Sequence, residues 1–203
     1  DMYDDLSFSP NGNYILITTI EKPFSYLVPY NRFPSKTSIY DTNGKLIKTI
    51  LEVSLIEDLP QGFMAVRMGK RNLSWRDDKP ATITWCEALD EGNPEKEVEF
   101  RDEVFELNAP FKDSATSIVK TIGRFAGITW GNENTAIAND YWWNTRNTKS
   151  YVFNPSNNNI EPVIISDRNY QDTYSNPGNF VTKRNEIRLS LSFCTIIITI
   201  TLP

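Results

Sequence analysis

Histidine is absent from all 203 residues. That one gap removes the Ser-His-Asp and Cys-His nucleophile pairs, the HExxH zinc site and any imidazole base. Cysteine is nearly absent too. Cys86 and Cys194 lie far apart and form neither a CxxC motif nor a ligand cluster. A disulfide between them has no support, so the redox compartment is not legible. There is no long Lys/Arg run, and 21 basic against 26 acidic residues leave a net charge of −5. The chain is therefore a poor candidate for a general nucleic-acid binder. No stretch carries a sustained helical period with caps. The longest apolar run, Phe193 to Leu202, is about half of what a bilayer span requires. The chain starts Asp1-Met2-Tyr3, with no initiator Met and no apolar leader, as a fragment or processed product does.

What the sequence does have is repetition. Leu6-Ser7-Phe8-Ser9-Pro10-Asn11-Gly12, Leu73-Ser74-Trp75-Arg76-Asp77-Asp78-Lys79 and Ile128-Thr129-Trp130-Gly131-Asn132-Glu133-Asn134 share one pattern. Each reads aliphatic, hydroxyl, aromatic, any residue, then a turn containing Asp or Asn. Each is followed by a β-rich run: Tyr14 to Ile20, Ala81 to Trp85, and Thr135 to Trp143. The physical unit is a short strand with its large residues inward, a reversal, and a second strand. Asn13 to Ile20 is almost continuously apolar, which predicts a strand covered on both faces.

Further strands complete each unit. Thr37 to Tyr40 and Lys45 to Ile50 flank Asp41-Thr42-Asn43-Gly44, the clearest hairpin, because Asn-Gly accepts positive φ at little cost. Val98 to Leu107 with Ser117 to Thr121, and Ser150 to Phe153 with Pro162 to Ser166, do the same in the second and third units. Leu51 to Leu59 has room for one helical turn. The signatures start 67 and 55 residues apart, longer than the roughly 40 to 50 residues of a plain blade. The units therefore carry insertions: the Pro- and aromatic-rich arm Pro23 to Ser35, and a solvated loop at Asp90 to Glu95. The fold class expected is all-β, a partial β-propeller of three to four antiparallel four-stranded blades.

This domain is assigned residues 1–186. From 187 to 203 the character changes: IRLSLSFCTIIITITLP has no acidic residue, one basic residue and an unbroken β-branched run. An ordinary edge strand and an out-of-frame extension are the two readings. Its composition is that of an aggregation-prone segment.

Several strings carry a resemblance. Lys22 to Tyr30 followed by Arg32-Phe33-Pro34, Ser74 to Thr82, Trp85 with Glu87 to Asp90, Arg124 to Asn132, Tyr141 to Arg146, and Phe153 to Asn157 resemble the propeller domain of glutamyl endopeptidases. These belong to the prolyl oligopeptidase family of serine peptidases. The resemblance runs from Leu6 to Glu186. It implies a two-domain enzyme in which the propeller caps an α/β-hydrolase domain with a Ser-Asp-His triad, restricts access and shapes the substrate cavity. The chain has no Gly-x-Ser-x-Gly elbow and no histidine, so no catalytic residue transfers. The expected role is gating and substrate positioning, inactive alone. The expected partners are the hydrolase domain and a peptide substrate, with no nucleic acid, no membrane span, no cofactor and no metal. The rivals are a non-enzymatic protein-interaction propeller and a carbohydrate-binding propeller that uses tryptophan stacking.

Individual residues divide between site and scaffold. Arg76, Arg124 and Arg146 are the substrate-facing candidates, because a guanidinium captures a carboxylate bidentately; the alternative is an inter-blade ion pair. Phe24, Tyr26, Tyr30 and Phe33 are the candidates for contact with the hydrolase domain, since such apolar content has no other reason to be exposed. Trp75 and Trp130 are expected in the core. Trp142 and Trp143 point to opposite faces of one strand, which leaves one exposed. Asp77-Asp78 is expected in a turn rather than as an acid/base pair. Asp41 to Gly44 is a turn rather than a calcium loop, because its Gly stands fourth instead of sixth. Asn72-Leu73-Ser74 is a formal glycosylation triplet that opens a strand.

Overall fold

The structure, a computed structural model, describes residues 2–178 and 180 together with the backbone of 182–183 and 195–196. Twelve of its strands form three four-stranded antiparallel sheets, each in simple sequence order. Sheet 1 holds β1 (Met2–Phe8), β2 (Tyr14–Ile20), β3 (Ser35–Asp41) and β4 (Leu46–Val53). Sheet 2 holds β5 (Arg71–Trp75), β6 (Thr82–Ala88), β7 (Asp102–Asn108) and β8 (Thr116–Thr121). Sheet 3 holds β9 (Arg124–Asn132), β10 (Thr135–Trp142), β11 (Asn147–Phe153) and β12 (Val163–Asn169). The remaining pair, β13 (Thr182–Lys183) and β14 (Thr195–Ile196), is antiparallel. The rest of the segment 187–203, Cys194 included, lies outside the described residues. No α-helix occurs among the described residues, and none is long and apolar enough to cross a membrane. The fold is all-β, a partial propeller of three blades.

The sheets stack face to face. Leu16, Ile39 and Ile50 of sheet 1 meet Trp75, Ile83, Trp85, Leu107 and Phe111 of the second unit. Cys86, Val104, Ile118 and Val119 meet Trp130, Ala136, Ala138, Tyr151 and Phe153 across the next seam. Sheet 2 is thus covered on both faces, and β6 shows it: the first five residues are all buried. Trp85 turns to one seam and Cys86 to the other, as period two requires. The expectation that Tyr14 to Ile20 is the doubly covered strand is corrected. Only Leu16 and Ile20 are buried there, because among the described residues sheet 1 has a neighbouring sheet on one side only.

The recurring signature explains the stacking. Its aromatic is the residue each sheet's first strand presses against the preceding sheet. Trp75 and Trp130 are 6% exposed in that position. The Trp75 indole N–H also donates to the Ser7 carbonyl of sheet 1 at 3.2 Å. Phe8 holds the same place in sheet 1 and is 54% exposed.

Turns follow the sequence closely. Asp41 Oδ1 accepts from the backbone N–H groups of Asn43 and Lys45, both at 2.9 Å, and Gly44 takes φ 79°. The carboxylate therefore serves the hairpin. Leu51 to Leu59 forms no helix. Residues 51–53 finish β4, and beyond them the Ile56 N–H donates to the Arg32 carbonyl at 2.9 Å, which holds the chain extended. The single helical turn is instead a 3-10 turn, Tyr30–Arg32, inside the Pro-rich arm. Residues 98–101 stay out of β7.

The burial contrast has a direct test. Trp130→Ala should cost about 3–5 kcal/mol, the usual loss for a large buried aromatic. Phe8→Ala in the same chain should cost under about 1 kcal/mol. Urea unfolding followed by far-UV circular dichroism measures both; equal costs would contradict the assigned stacking order.

Candidate functional site

Antiparallel order sends alternate connections to opposite ends of the stack. One end carries the short reversals after β1, β5 and β9. The other carries the arm at 21–34, the connector 54–70, the loop 89–101 and the turn 143–146. Against connections of seven to nine residues at most at the first end (109–115, 154–162), the three longest insertions gather at this second end.

Its foundation is a buried ion cluster. Asp90 and Asp102 are both fully buried. Asp90 accepts from Arg124 Nη1 and Arg101 Nη1, each at 2.8 Å. Arg124 Nη2 lies 2.8 Å from its second oxygen. Asp102 accepts from Arg71 Nη2 at 2.6 Å and Arg124 Nη1 at 3.2 Å, and its other oxygen takes the Phe125 backbone N–H at 2.8 Å. Three guanidinium groups thus share two carboxylates across the seam between sheets 2 and 3. Trp142 closes one side, with Arg101 3.9 Å above its ring.

The cluster also fixes the loops. Arg124 Nε donates to the Met64 carbonyl at 2.9 Å, and Met64 is buried. The Val66 N–H donates to the Gly92 carbonyl at 3.1 Å. Gly92 has φ 76°, and a Cβ there would stand 1.9 Å from the Val66 carbonyl oxygen. The connector 54–70 and the loop 89–101 are therefore laced together, and only glycine fits at the crossing. With Met64 pulled inward, its neighbour Phe63 is left outward and 85% exposed. Its ring lies 5.4 Å from that of Trp143. Arg146, at φ 57°, folds its guanidinium over the same indole, 3.8 Å from the ring centroid.

The arm stands beside this. Its base is closed by the Glu21 N–H on the Pro34 carbonyl at 2.7 Å, and Phe24 packs on Phe33 with centroids 5.6 Å apart. Tyr26, Leu27 and Tyr30 extend into solvent. Two open clefts flank residues 53–55: one of about 560 Å³ lined by Glu52, Glu57 and Asp58 with Arg67, and one of about 410 Å³ lined by Glu21 and Glu52 with Lys22 and Lys36. Among the described residues no group of three or more Cys, Asp and Glu is placed to hold a metal ion.

The three candidate arginines do not converge. Arg76 lies at the opposite end and is fully buried. It forks onto Asp78 through Nε at 2.8 Å and Nη2 at 2.7 Å, reaches Glu106 at 2.5 Å, and stacks 4.3 Å over Trp130. Arg124 is the hub of the ion cluster and 2% exposed. Neither offers its guanidinium to solvent: Arg124 makes the inter-blade ion pair weighed against a substrate role, whereas both carboxylates on Arg76 belong to its own blade. Arg146 alone of the three is partly exposed, and it has no carboxylate partner among the described residues. Sequence reasoning missed Asp90, Asp102, Arg71, Arg101 and Phe63. Asp90 was read as the start of a solvated loop, whereas it is the loop's buried root. Its one local signal is the Asp-Glu-Gly spacing, since Asp90 Oδ1 also accepts the Gly92 N–H at 3.0 Å.

Two other buried groups are structural. Asp140 has its carboxyl raised above the ordinary range by burial, offset by donors from Tyr151, Gly123 and Lys149. Burial pushes the Cys86 thiol up to about 12, which makes it unreactive.

Removing one charge from the cluster strands another. Asp90→Asn is expected to cost about 3–5 kcal/mol, because two guanidinium groups lose their buried counter-charge. Gly92→Ala should part the connector from the loop. It should raise amide hydrogen exchange at residues 61–68 and leave sheet 1 unchanged. Exchange mass spectrometry resolves the two regions.

No family model matches the chain. It is similar to two curated plant proteins, each named probable glutamyl endopeptidase, chloroplastic. The Oryza sativa subsp. japonica protein is 36% identical over 185 residues, which is 90% of this chain and 20% of that protein. The Arabidopsis thaliana protein is 33% identical over 187 residues, 91% of this chain and 19% of that protein. The chain thus spans about one fifth of the length of these relatives. Among solved structures, the uncomplexed acylaminoacyl peptidase of Pyrococcus horikoshii superposes at a TM-score of 0.45 and 10% identity, covering 81% of this chain and 25% of that one. On the sequence likeness across its three blades, the chain is a propeller segment homologous to part of the proteins named glutamyl endopeptidase.

Proposed function

We propose that this propeller segment gates and positions peptide substrate for a serine endopeptidase and has no hydrolytic activity of its own. The observation that carries the reading is the likeness to glutamyl endopeptidases over 90% of the chain, in a sequence with no histidine and no nucleophile elbow. The end of the stack that bears the insertions faces the α/β-hydrolase domain. Phe24, Tyr26 and Tyr30 supply the apolar contact, with Phe33 bracing Phe24 from below. Tyr26 is fully exposed and Tyr30 is 64% exposed, more aromatic surface than an isolated loop has reason to show. The stacked sheets are rigid and the insertions are not part of any sheet, so movement of the arm against the catalytic domain provides the gate.

Two measurements test this. The purified chain should release no product from Glu-containing peptides; turnover that copurifies with it would overturn the inactive reading. In the full-length polypeptide, Tyr26→Ser with Tyr30→Ser should lower kcat/KM on a peptide about tenfold, as loss of interface anchors does. The unfolding of the sheets should not change. Unaltered kinetics would remove the arm from the contact.

A further inference from the structure

Arg146 and Arg76 make the same arrangement, once empty and once filled. Arg76 lies 4.3 Å over Trp130 and closes its Nε and Nη2 edge on the Asp78 carboxylate. Arg146 lies 3.8 Å over Trp143. Its Nη1 is spent on the Trp143 carbonyl at 2.6 Å, and the Trp143 carbonyl also accepts the Arg146 backbone N–H at 3.2 Å. The Tyr170 N–H holds the Arg146 carbonyl at 2.8 Å. The side chain is therefore fixed in place. Its Nε and Nη2 edge meets no acceptor among the described residues, and it has no carboxylate partner. That edge is the one that binds a carboxylate with two parallel hydrogen bonds.

The surroundings complete a site. Trp143 is 39% exposed and Phe63 85% exposed beside it, held in contact at 5.4 Å. This places an apolar shelf next to an unmatched, preorganised cation. A free carboxylate in water would gain little from a flexible surface arginine. Here the indole already orders the guanidinium, and the cost of fixing it has been met in folding.

We propose that Phe63, Trp143 and Arg146 bind a carboxylate-bearing peptide segment. Its anionic group takes the Nε and Nη2 edge of Arg146, and an adjacent apolar side chain lies on Phe63 and Trp143. As a substrate contact this rests on the peptidase reading above; as a binding site it is a property of the chain alone. The carboxylate can belong to an acidic side chain or to a chain terminus, and the test separates them.

The chain is titrated at low salt with three short peptides, each with one Leu, followed by tryptophan fluorescence. The first is acetylated and amidated with a Glu beside the Leu, the second has Gln in place of Glu, and the third is the Gln peptide with a free C-terminal carboxylate. The Glu peptide or the free-terminus peptide should bind about tenfold or more tightly than the blocked Gln peptide, since charge-assisted pairs exceed neutral ones by at least that factor. Whichever binds names the source of the carboxylate. Trp143→Phe should abolish the fluorescence change. Arg146→Lys keeps the charge and loses the fork, and should erase the preference while circular dichroism stays that of the parent. Equal binding of all three peptides, no binding, or unchanged preference in Arg146→Lys would overturn the proposal. Those outcomes would leave the gating reading standing if the arm substitutions still lower kcat/KM; loss of the kinetic effect with binding intact would do the reverse.

Discussion

The fold depends on how much of a β-sheet's surface must be kept from water. Each sheet has an apolar face and sheet 2 has two, so no sheet is satisfied alone, and stacking covers the faces that meet at the two seams. A single recurring aromatic makes the contact. Trp75 and Trp130 reach from the first strand of one sheet onto the sheet before it, and everything between the seams follows from that spacing. β6 can be buried over five successive residues because it has a neighbour on each side.

Charge then does what hydrophobic packing cannot. Apolar faces slide over one another with little preference for register, whereas Asp90 and Asp102 accept only guanidinium groups in defined places. Buried pairs of this kind add little net stability. Their value here is location: Arg124 joins sheet 3 to the loop of sheet 2 and, through the Met64 carbonyl, to the connector from sheet 1. The functional end inherits its geometry from that joint. Trp142, the last residue of β10, belongs to the buried side of it; Trp143, expected on the same strand, instead opens the turn and stands on the exposed side.

Much of this was legible in the residues. The signature Leu-Ser-Phe, Leu-Ser-Trp and Ile-Thr-Trp located all three sheets, and the Asn43-Gly44 hairpin, the Asp77-Asp78 turn and the extended arm are where turn chemistry put them. The resemblance to glutamyl endopeptidases, carried by the strings between Lys22 and Asn157, holds across 90% of the chain. What sequence could not supply was pairing at long range. Asp90 and Arg124 are 34 residues apart, and the local Asp-Glu-Gly spacing marks a turn without saying that its Asp is buried on a distant guanidinium. The same blindness made Arg76, Arg124 and Arg146 look alike. Their difference lies in which carboxylates reach them: Asp78 and Glu106 for Arg76, Asp90 and Asp102 for Arg124, and none among the described residues for Arg146. Tyr14 to Ile20 read as doubly covered for a related reason: composition reports what a face can pack against, and only the neighbours report whether it does.

Cys86 shows what the seam between sheets 2 and 3 does to chemistry. A thiol wedged there, and held so far from its ionised form, is silent toward oxidants and alkylating reagents as long as the two sheets stay joined. Parting them restores an ordinary cysteine. The seam thus carries its own chemical latch indicator: modification at this one sulfur would be a lasting record that the second and third blades had come apart.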